Sequence, residues 1–231
     1  MIHVVTSNFN KENKICNFID FIDKSIKTKF QIIIVDDGSK DNSRKILKKI
    51  KNQNVKIIFN NKNSGKGYSL KKGLKKILKY NNEDIIILID IDLPYKTKFQ
   101  KFLKLDNKLK IISRKKMYVN TKISFYSNFR NIIGKLINFL FRFLNLTNQS
   151  DTQAGLKAFK AKYLPLIQNT ITHNFLFDLE LIIIFEKKIG VSKIIHNMIE
   201  IENSTIKLSN LNHIKNIFWD LIKILINKKN Y

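Results

Sequence analysis

Five short apolar runs punctuate the first half of the chain: IHVV (2–5), QIIIV (31–35), VKIIF (55–59), DIIILI (84–89) and LKIIS (109–113). They are apolar at nearly every position rather than at alternate ones. That pattern predicts strands buried on both faces, as in a parallel sheet covered by helices. Between the runs the period changes. Ile15, Phe18, Ile19, Ile22 and Ile26 follow helical spacing, as do Leu70, Leu74, Ile77 and Leu78. Asp41-Asn42-Ser43 offers caps for a helix over 43–51. Strand alternating with helix predicts a doubly wound α/β sheet with right-handed crossovers. Ligands of such sheets bind beyond the carboxyl ends of the strands.

The second half is less regular. Residues 123–146 include IIGKLINFLFRFLNL, a helix-length stretch with few charges. FLFDLELIIIF (175–185) predicts a buried segment, and 210–227 a final amphipathic helix. In 131–146 the apolar Ile132, Ile133, Leu136, Ile137, Phe139, Leu140, Phe143 and Leu144 form a broad stripe beside Lys135, Asn138, Arg142 and Asn145. The segment is too short and interrupted to span a bilayer but suited to lie in its interface; a helix packed into the core fits the same pattern. No repeat, low-complexity linker or proline-rich stretch marks a boundary, so a single domain over 1–231 is expected.

Composition changes this picture in two places. The formal charge of +25 invites a polyanionic partner, yet of 43 basic residues only Arg44, Arg114, Arg130 and Arg142 are arginine. Abundant Lys, Asn and Ile together also fit a coding bias that places lysine on any solvated face. Scattered lysine without a recognition motif argues against nucleic acid; an anionic membrane surface suits it better. The single Cys16 excludes an internal disulfide and, within an apolar helical pattern, reads as a small buried hydrophobe. MIHVVTSNFNKEN turns polar too soon for a signal peptide, and no window is apolar enough to span a membrane. A cytoplasmic protein, peripheral on the membrane, is the expected location.

Candidate chemistry gathers at strand ends. In EDIIILIDIDLPY (83–95), Asp90 and Asp92 share a face because side chains alternate along a strand. Two carboxylates that close repel unless a cation lies between them. A hard divalent metal carrying phosphate oxygens is a natural occupant. A lone D-x-D reads first as a turn after a strand, but it has company. IIIVDDGSKDNS puts Asp36 and Asp37 at another strand end, and NKNSGKGYSLKKGL (61–74) places Gly65 and Gly67 just before a helix, where free N–H groups receive anions. Their spacing matches neither a dinucleotide-binding nor a P-loop fingerprint.

VVTSNFNKENKI, IIIVDDGSKDNS, NSGKGYSLKKG and IIILIDIDLPY resemble the successive motifs of family 2 glycosyltransferases with the GT-A fold. SDTQAGLKAF (150–159), FLFDLEL (175–181) and STIKLSNLNHIKNIFWDLIKI (204–224) resemble the branch containing dolichyl-phosphate β-glucosyltransferase and related polyprenyl-phosphate sugar synthases. The likeness spans almost the whole chain. It implies a GT-A domain with a donor-binding part over about 1–115 and an acceptor- and membrane-facing part over about 116–231. It also implies a nucleotide-sugar donor (a UDP- or GDP-hexose), Mg²⁺ or Mn²⁺, inversion at the anomeric carbon, a polyprenyl phosphate acceptor and a possible membrane-protein partner.

Carried onto matching positions, Asp36 and Asp37 meet the nucleoside, and Asp92 with Asp90 the metal and diphosphate. Lys66, Arg114 and Gln153 face the donor. Asp151, Gln153 and Lys157 lie near the sugar and acceptor phosphate, Asp178 is the acid near the acceptor, and Arg130 a basic position at the start of the interfacial segment. Asp178, Asp151 and Lys157 are the catalytic candidates, and Lys157 with Arg130 the acceptor-binding ones. The first motif departs from the family: Ser7, Phe9 and Lys11 replace the usual proline, tyrosine and glutamate, while Asn10 and Glu12 remain. No counterpart of the eukaryotic enzyme's N-terminal anchor is present, so a lipid acceptor is expected to be met from the surface. A hydroxyl acceptor in polysaccharide assembly, needing Asp178 or Asp151 as base, and a non-catalytic scaffold are the alternatives.

Overall fold

The computed structural model describes residues 1–92, 103–116, 139–149, 151–152, 154–168, 170–174, 176–198 and 211–231. The five expected strands are present: β1 (Ile2–Asn8), β2 (Phe30–Asp36), β3 (Val55–Phe59), β4 (Ile85–Ile89) and β5 (Leu109–Lys116). Two more, β6 (Leu156–Lys160) and β7 (Val191–Met198), join them in a seven-stranded sheet of order β3-β2-β1-β4-β6-β5-β7. The sheet is not wholly parallel. β1, β2, β3 and β4 run together and β5 pairs parallel with β7, but β6 runs antiparallel to both β4 and β5.

Burial on both faces explains the continuous apolar runs. On one face Val4, Ile32, Ile34 and Ile87 pack against Ile15, Phe18, Ile19 and Ile22 of α1 (Ile15–Ser25) and Leu47 of α2 (Ser43–Lys49). On the other, Val5, Ile33, Val35 and Leu88 meet α3 (Lys66–Leu74), α4 (Leu164–Gln168) and α5 (Phe177–Lys188). Cys16 is exposed rather than buried. It is next to Ile15 in sequence but turned away from the stripe that Ile15, Phe18, Ile19 and Ile22 bury, because successive helical residues differ by a third of a turn. Leu78 is likewise exposed, since α3 ends at Leu74 and only Ile77 of that pair reaches the core. The helix over 43–51 ends early, at Lys49; Asn42 is its N-cap without a side-chain cap bond, and Asp41 Oδ1 accepts from Ser43 N at 3.0 Å.

α5 is buried from Phe177 to Phe185 because it is sandwiched. Phe177, Leu181, Ile182 and Phe185 face the sheet. Leu179 and Ile183 face an outer layer made of Phe141, Leu146 and the C-terminal α6 (Leu211–Asn227). Among the described residues no helix is long and apolar enough to cross a membrane. Of the interfacial stretch 131–146, positions 131–138 lie outside the described residues; 139–143 are helical.

Candidate active site

The carboxyl ends of β1, β2 and β4 form one edge of the sheet, with Asn8 in register with Asp36. Because β6 is antiparallel to β4, its amino end arrives at this same edge: Ile89 pairs with Leu156, and Asp90 N donates to Gly155 O at 3.0 Å. The antiparallel strand thus carries the 151–157 motif to the acids at the tip of β4. β5 brings Arg114 to the same edge, two residues beyond the pairing of Ile112 with Leu156.

Asp36 and Asp37 are adjacent, buried and turned to opposite faces. Asp36 accepts from Asn8 Nδ2 at 3.0 Å and Ser39 N at 3.2 Å, with Arg44 Nε 3.7 Å away. Asp37 accepts from Asn60 Nδ2 at 2.8 Å and from Ser64 N and Gly65 N, each at 2.9 Å. One acid therefore holds the turn toward α2 and the other holds the glycine turn that opens α3. That turn is crowded. Gly65 has φ +100°, and a Cβ there would lie 2.5 Å from His173 O; a Cβ on Gly67 would lie 2.6 Å from Phe177 Cβ. Glycine is required at 65 by its backbone conformation and at 67 by contact with α5.

Lys66, between these glycines, reaches two carboxylates at once: Asp90 Oδ1 and Asp178 Oδ2, each 2.8 Å from its ammonium. Asp178 also accepts from Lys157 Nζ at 2.8 Å through Oδ1. Lys157 is 1% exposed and donates in addition to Ala154 O. The chain Asp90–Lys66–Asp178–Lys157 thus runs from the tip of β4, across the start of α3 and the first turn of α5, into β6. It alternates in charge, which is how such groups are tolerated as the setting dries from Asp90 and Lys66, about a quarter exposed, to Asp178 and Lys157, nearly dry. Burial by itself would raise the carboxyl of Asp178, but the ammonium groups of Lys157 and Lys66 outweigh it and hold it down at about 2. Burial works against the charge of Lys66 too, yet Asp178 and then Asp90 overcome it and raise its pKa. For Lys157 burial prevails over its carboxylate partner and the pKa falls.

Of the remaining candidates, Asp92 is exposed beyond β4 and Asp151 is half-buried in the loop entering β6. Arg130 and Gln153 lie outside the described residues. Among the described residues no three His, Cys, Asp or Glu side chains gather as a metal site. The structure adds Asn8, Ser39, Asn60 and Glu180 to the supporting cast. Buried Glu180 accepts from Ile171 N, Thr172 N and Thr172 Oγ1 at 2.6–2.9 Å, shaping the 170–174 loop that covers Gly65 and Gly67. An acid amid FLFDLELIIIF carries the signal, since such a group must find partners inside.

The model of the family described as Glycosyl transferase family 2 matches residues 3–164. Human dolichyl-phosphate β-glucosyltransferase is 28% identical over 228 residues, covering 88% of this chain and 68% of that enzyme. The Saccharomyces cerevisiae enzyme of the same name is 26% identical, covering 90% and 70%. An uncharacterised Methanocaldococcus jannaschii protein, MJ0544, is 36% identical over 99 residues, and the match spans 42% of its length. Among solved structures, glucosyl-3-phosphoglycerate synthase from Mycobacterium tuberculosis in complex with Mn²⁺, UDP and phosphoglyceric acid superposes with a TM-score of 0.66 at 15% identity, covering 97% of this chain and 78% of that one. At that identity the likeness speaks for the GT-A fold.

Proposed function

The chain belongs to glycosyl transferase family 2, and on that premise we propose that it is an inverting, metal-dependent hexosyltransferase taking sugar from a nucleoside-diphosphate donor to a polyprenyl phosphate at a membrane surface. The observation that carries the choice of acceptor is the pairing of Asp178 with two lysines. A general base works best with a pKa near the operating pH. Asp178, held at about 2, is a poor proton acceptor. A sugar hydroxyl would need one, and Asp151, half-buried in the loop entering β6, is the remaining candidate. A phosphate monoester needs none, because its second pKa lies near 6 and it is already largely ionised. The names of the eukaryotic relatives supply the same acceptor class.

The geometry of Lys66, Asp178 and Lys157 supports their roles, and the family resemblance supplies the others. Asp36 and Asp37 shape the two turns that would flank the nucleoside, and Arg114 and Gln153 keep the donor-binding role that the resemblance implies. Lys66 places a permanent cation beside Asp90, where charge develops on the leaving nucleoside diphosphate; a positioned cation there stabilises the transition state more than the ground state. Asp178 and Lys157 hold Lys66 in place, and Arg130 with Asp151 serves acceptor positioning. Asp90 and Asp92 fit a hard divalent cation, Mg²⁺ or Mn²⁺, since such ions are commonly held by one or two carboxylates plus substrate phosphates. Bound there, the ion would offset diphosphate charge. Attack by the acceptor phosphate from the face opposite the leaving group inverts the anomeric carbon.

The test is a panel of labelled UDP- and GDP-hexoses incubated with Mg²⁺ or Mn²⁺ and either polyprenyl phosphate or an oligosaccharide, scored for label in the organic phase and on the oligosaccharide. One donor is expected to give lipid-linked product. Label appearing only on sugar hydroxyl acceptors would overturn the choice of acceptor.

A further inference from the structure

α6 is apolar on two sides. Inward, Ile217, Leu221 and Ile224 pack on the outer surface of α5. Outward, Phe218, Trp219, Leu225 and Ile226 are exposed, with Ile222 half-buried between them. Positions 218, 219, 222, 225 and 226 follow helical spacing and form a second stripe. Phe218 is 59% exposed, Trp219 51% and Ile226 74%, so the stripe is uncovered by this chain's described residues. Beside α6, the helical turn over 139–143 exposes Phe139 and Phe143, whose rings stack at 6.5 Å. The two elements are joined: Phe141 and Leu146 share a buried cluster with Ile224, and Lys228 Nζ donates to Leu144 O at 2.9 Å.

Charge is distributed unevenly around this face. Arg142, Lys215, Lys223 and Lys229 are exposed there. The one acid of α6, Asp220, is buried and accepts from Asn174 N and Nδ2, each at 3.3 Å. A twofold contact would set the face against a copy of itself, lysine toward lysine with no exposed acid of α6 to pair them. An aromatic and aliphatic stripe whose exposed charged neighbours, among the described residues of α6 and 139–143, are basic suits the headgroup layer of an anionic bilayer, where Trp and Phe sit at the boundary and Lys reaches phosphate.

We infer that the outward stripe of α6, together with Phe139 and Phe143, is the surface that docks on an anionic lipid bilayer. This rests on the proposed lipid-phosphate acceptor and extends it to a second element. Asp220 ties that helix to Asn174, in the loop that covers Gly65, so docking presents the site edge to lipid.

Trp219 is the chain's one tryptophan and reports directly. Its emission is to be followed on titrating the intact protein with phosphatidylcholine vesicles with and without phosphatidylglycerol, and with brominated acyl chains. The expected result is a blue shift with the anionic vesicles, quenching by the bromines, and weakening as salt rises. Phe218→Ser with Ile226→Ser should lower partitioning about tenfold or more, given the apolar area removed. Circular dichroism of that variant checks its fold, and quenching of the wild type decides even if the variant unfolds. Trp219 emission unmoved while the protein sediments with vesicles would overturn the inference. So would a lipid-free dimer that shields Trp219 from iodide. Transfer to a short-chain, water-soluble polyprenyl phosphate without vesicles tests the acceptor separately. Should that transfer fail while Trp219 enters the bilayer, the docking surface stands and the acceptor reading falls.

Discussion

At Asp178, burial and pairing oppose one another and pairing wins, with ammonium groups at 2.8 Å on both oxygens. Removing that negative charge leaves Lys157 nearly dry without a counter-ion. Breaking a buried pair in this way costs about 3–5 kcal/mol. Asp178→Asn is therefore expected to lower unfolding stability by about 3 kcal/mol, read from urea melts, and to reduce transfer by loosening Lys66. Asp92 is a different case, because it is exposed. Asp92→Asn should keep the fold and lose about 10²–10³ in rate, the usual cost of one electrostatic transition-state contact. Near wild-type turnover of that variant with Mg²⁺ or Mn²⁺ would remove the metal assignment.

Elements meet at the glycine turn and at the outer layer. α3 approaches α5 so closely that Gly67→Ala must push Phe177, whose Cβ would be 2.6 Å away. Overpacking of this kind costs about 1–3 kcal/mol. Since Phe177 precedes Asp178, the variant is also expected to displace the Lys66–Asp178 pair; a thermal melt and a donor-binding titration together separate the two effects. The turn over 139–143 shows the opposite situation. Phe139 and Phe143 are largely exposed and stack on each other rather than in the core, so Phe139→Asp with Phe143→Asp should stay folded while binding anionic liposomes less well. A folded double variant that co-sediments as the parent does would exclude this segment from the membrane contact.

For the whole molecule, Asp178 links stability to pH. Its carboxyl has an ordinary value of 3.8 and about 2 in the folded chain. The unfolded chain therefore binds a proton first as pH falls, and the folded state loses its advantage. The contribution is complete above about pH 4 and disappears between about 4 and 2. Acid titration of unfolding free energy should fall more steeply across that window in the wild type than in Asp178→Asn. An identical slope in both would show that the pair does not link folding to protons.

Much of this was legible in one dimension. β1 to β5 were visible because strands covered on both faces must be apolar throughout, and α1 because a helix covered on one face must repeat at 3.6 residues. Acids at strand ends stood out against those runs, which is how Asp36, Asp37, Asp90 and Asp92 were found; Asp178 came from the family resemblance, as an acid amid apolar residues. β6 was not visible: LKAFK has lysine at two of five positions and reads as surface. Only its insertion between β4 and β5 makes it central, and only its antiparallel direction brings Lys157 beneath Asp178. The partner of each charge was also a matter of tertiary structure. Sequence spacing places Lys66 in a glycine turn. Whether its ammonium would face solvent, a donor or two distant carboxylates depended on how α3, α5 and β4 converge, because pairing between segments far apart in the chain is set by packing rather than by local preference.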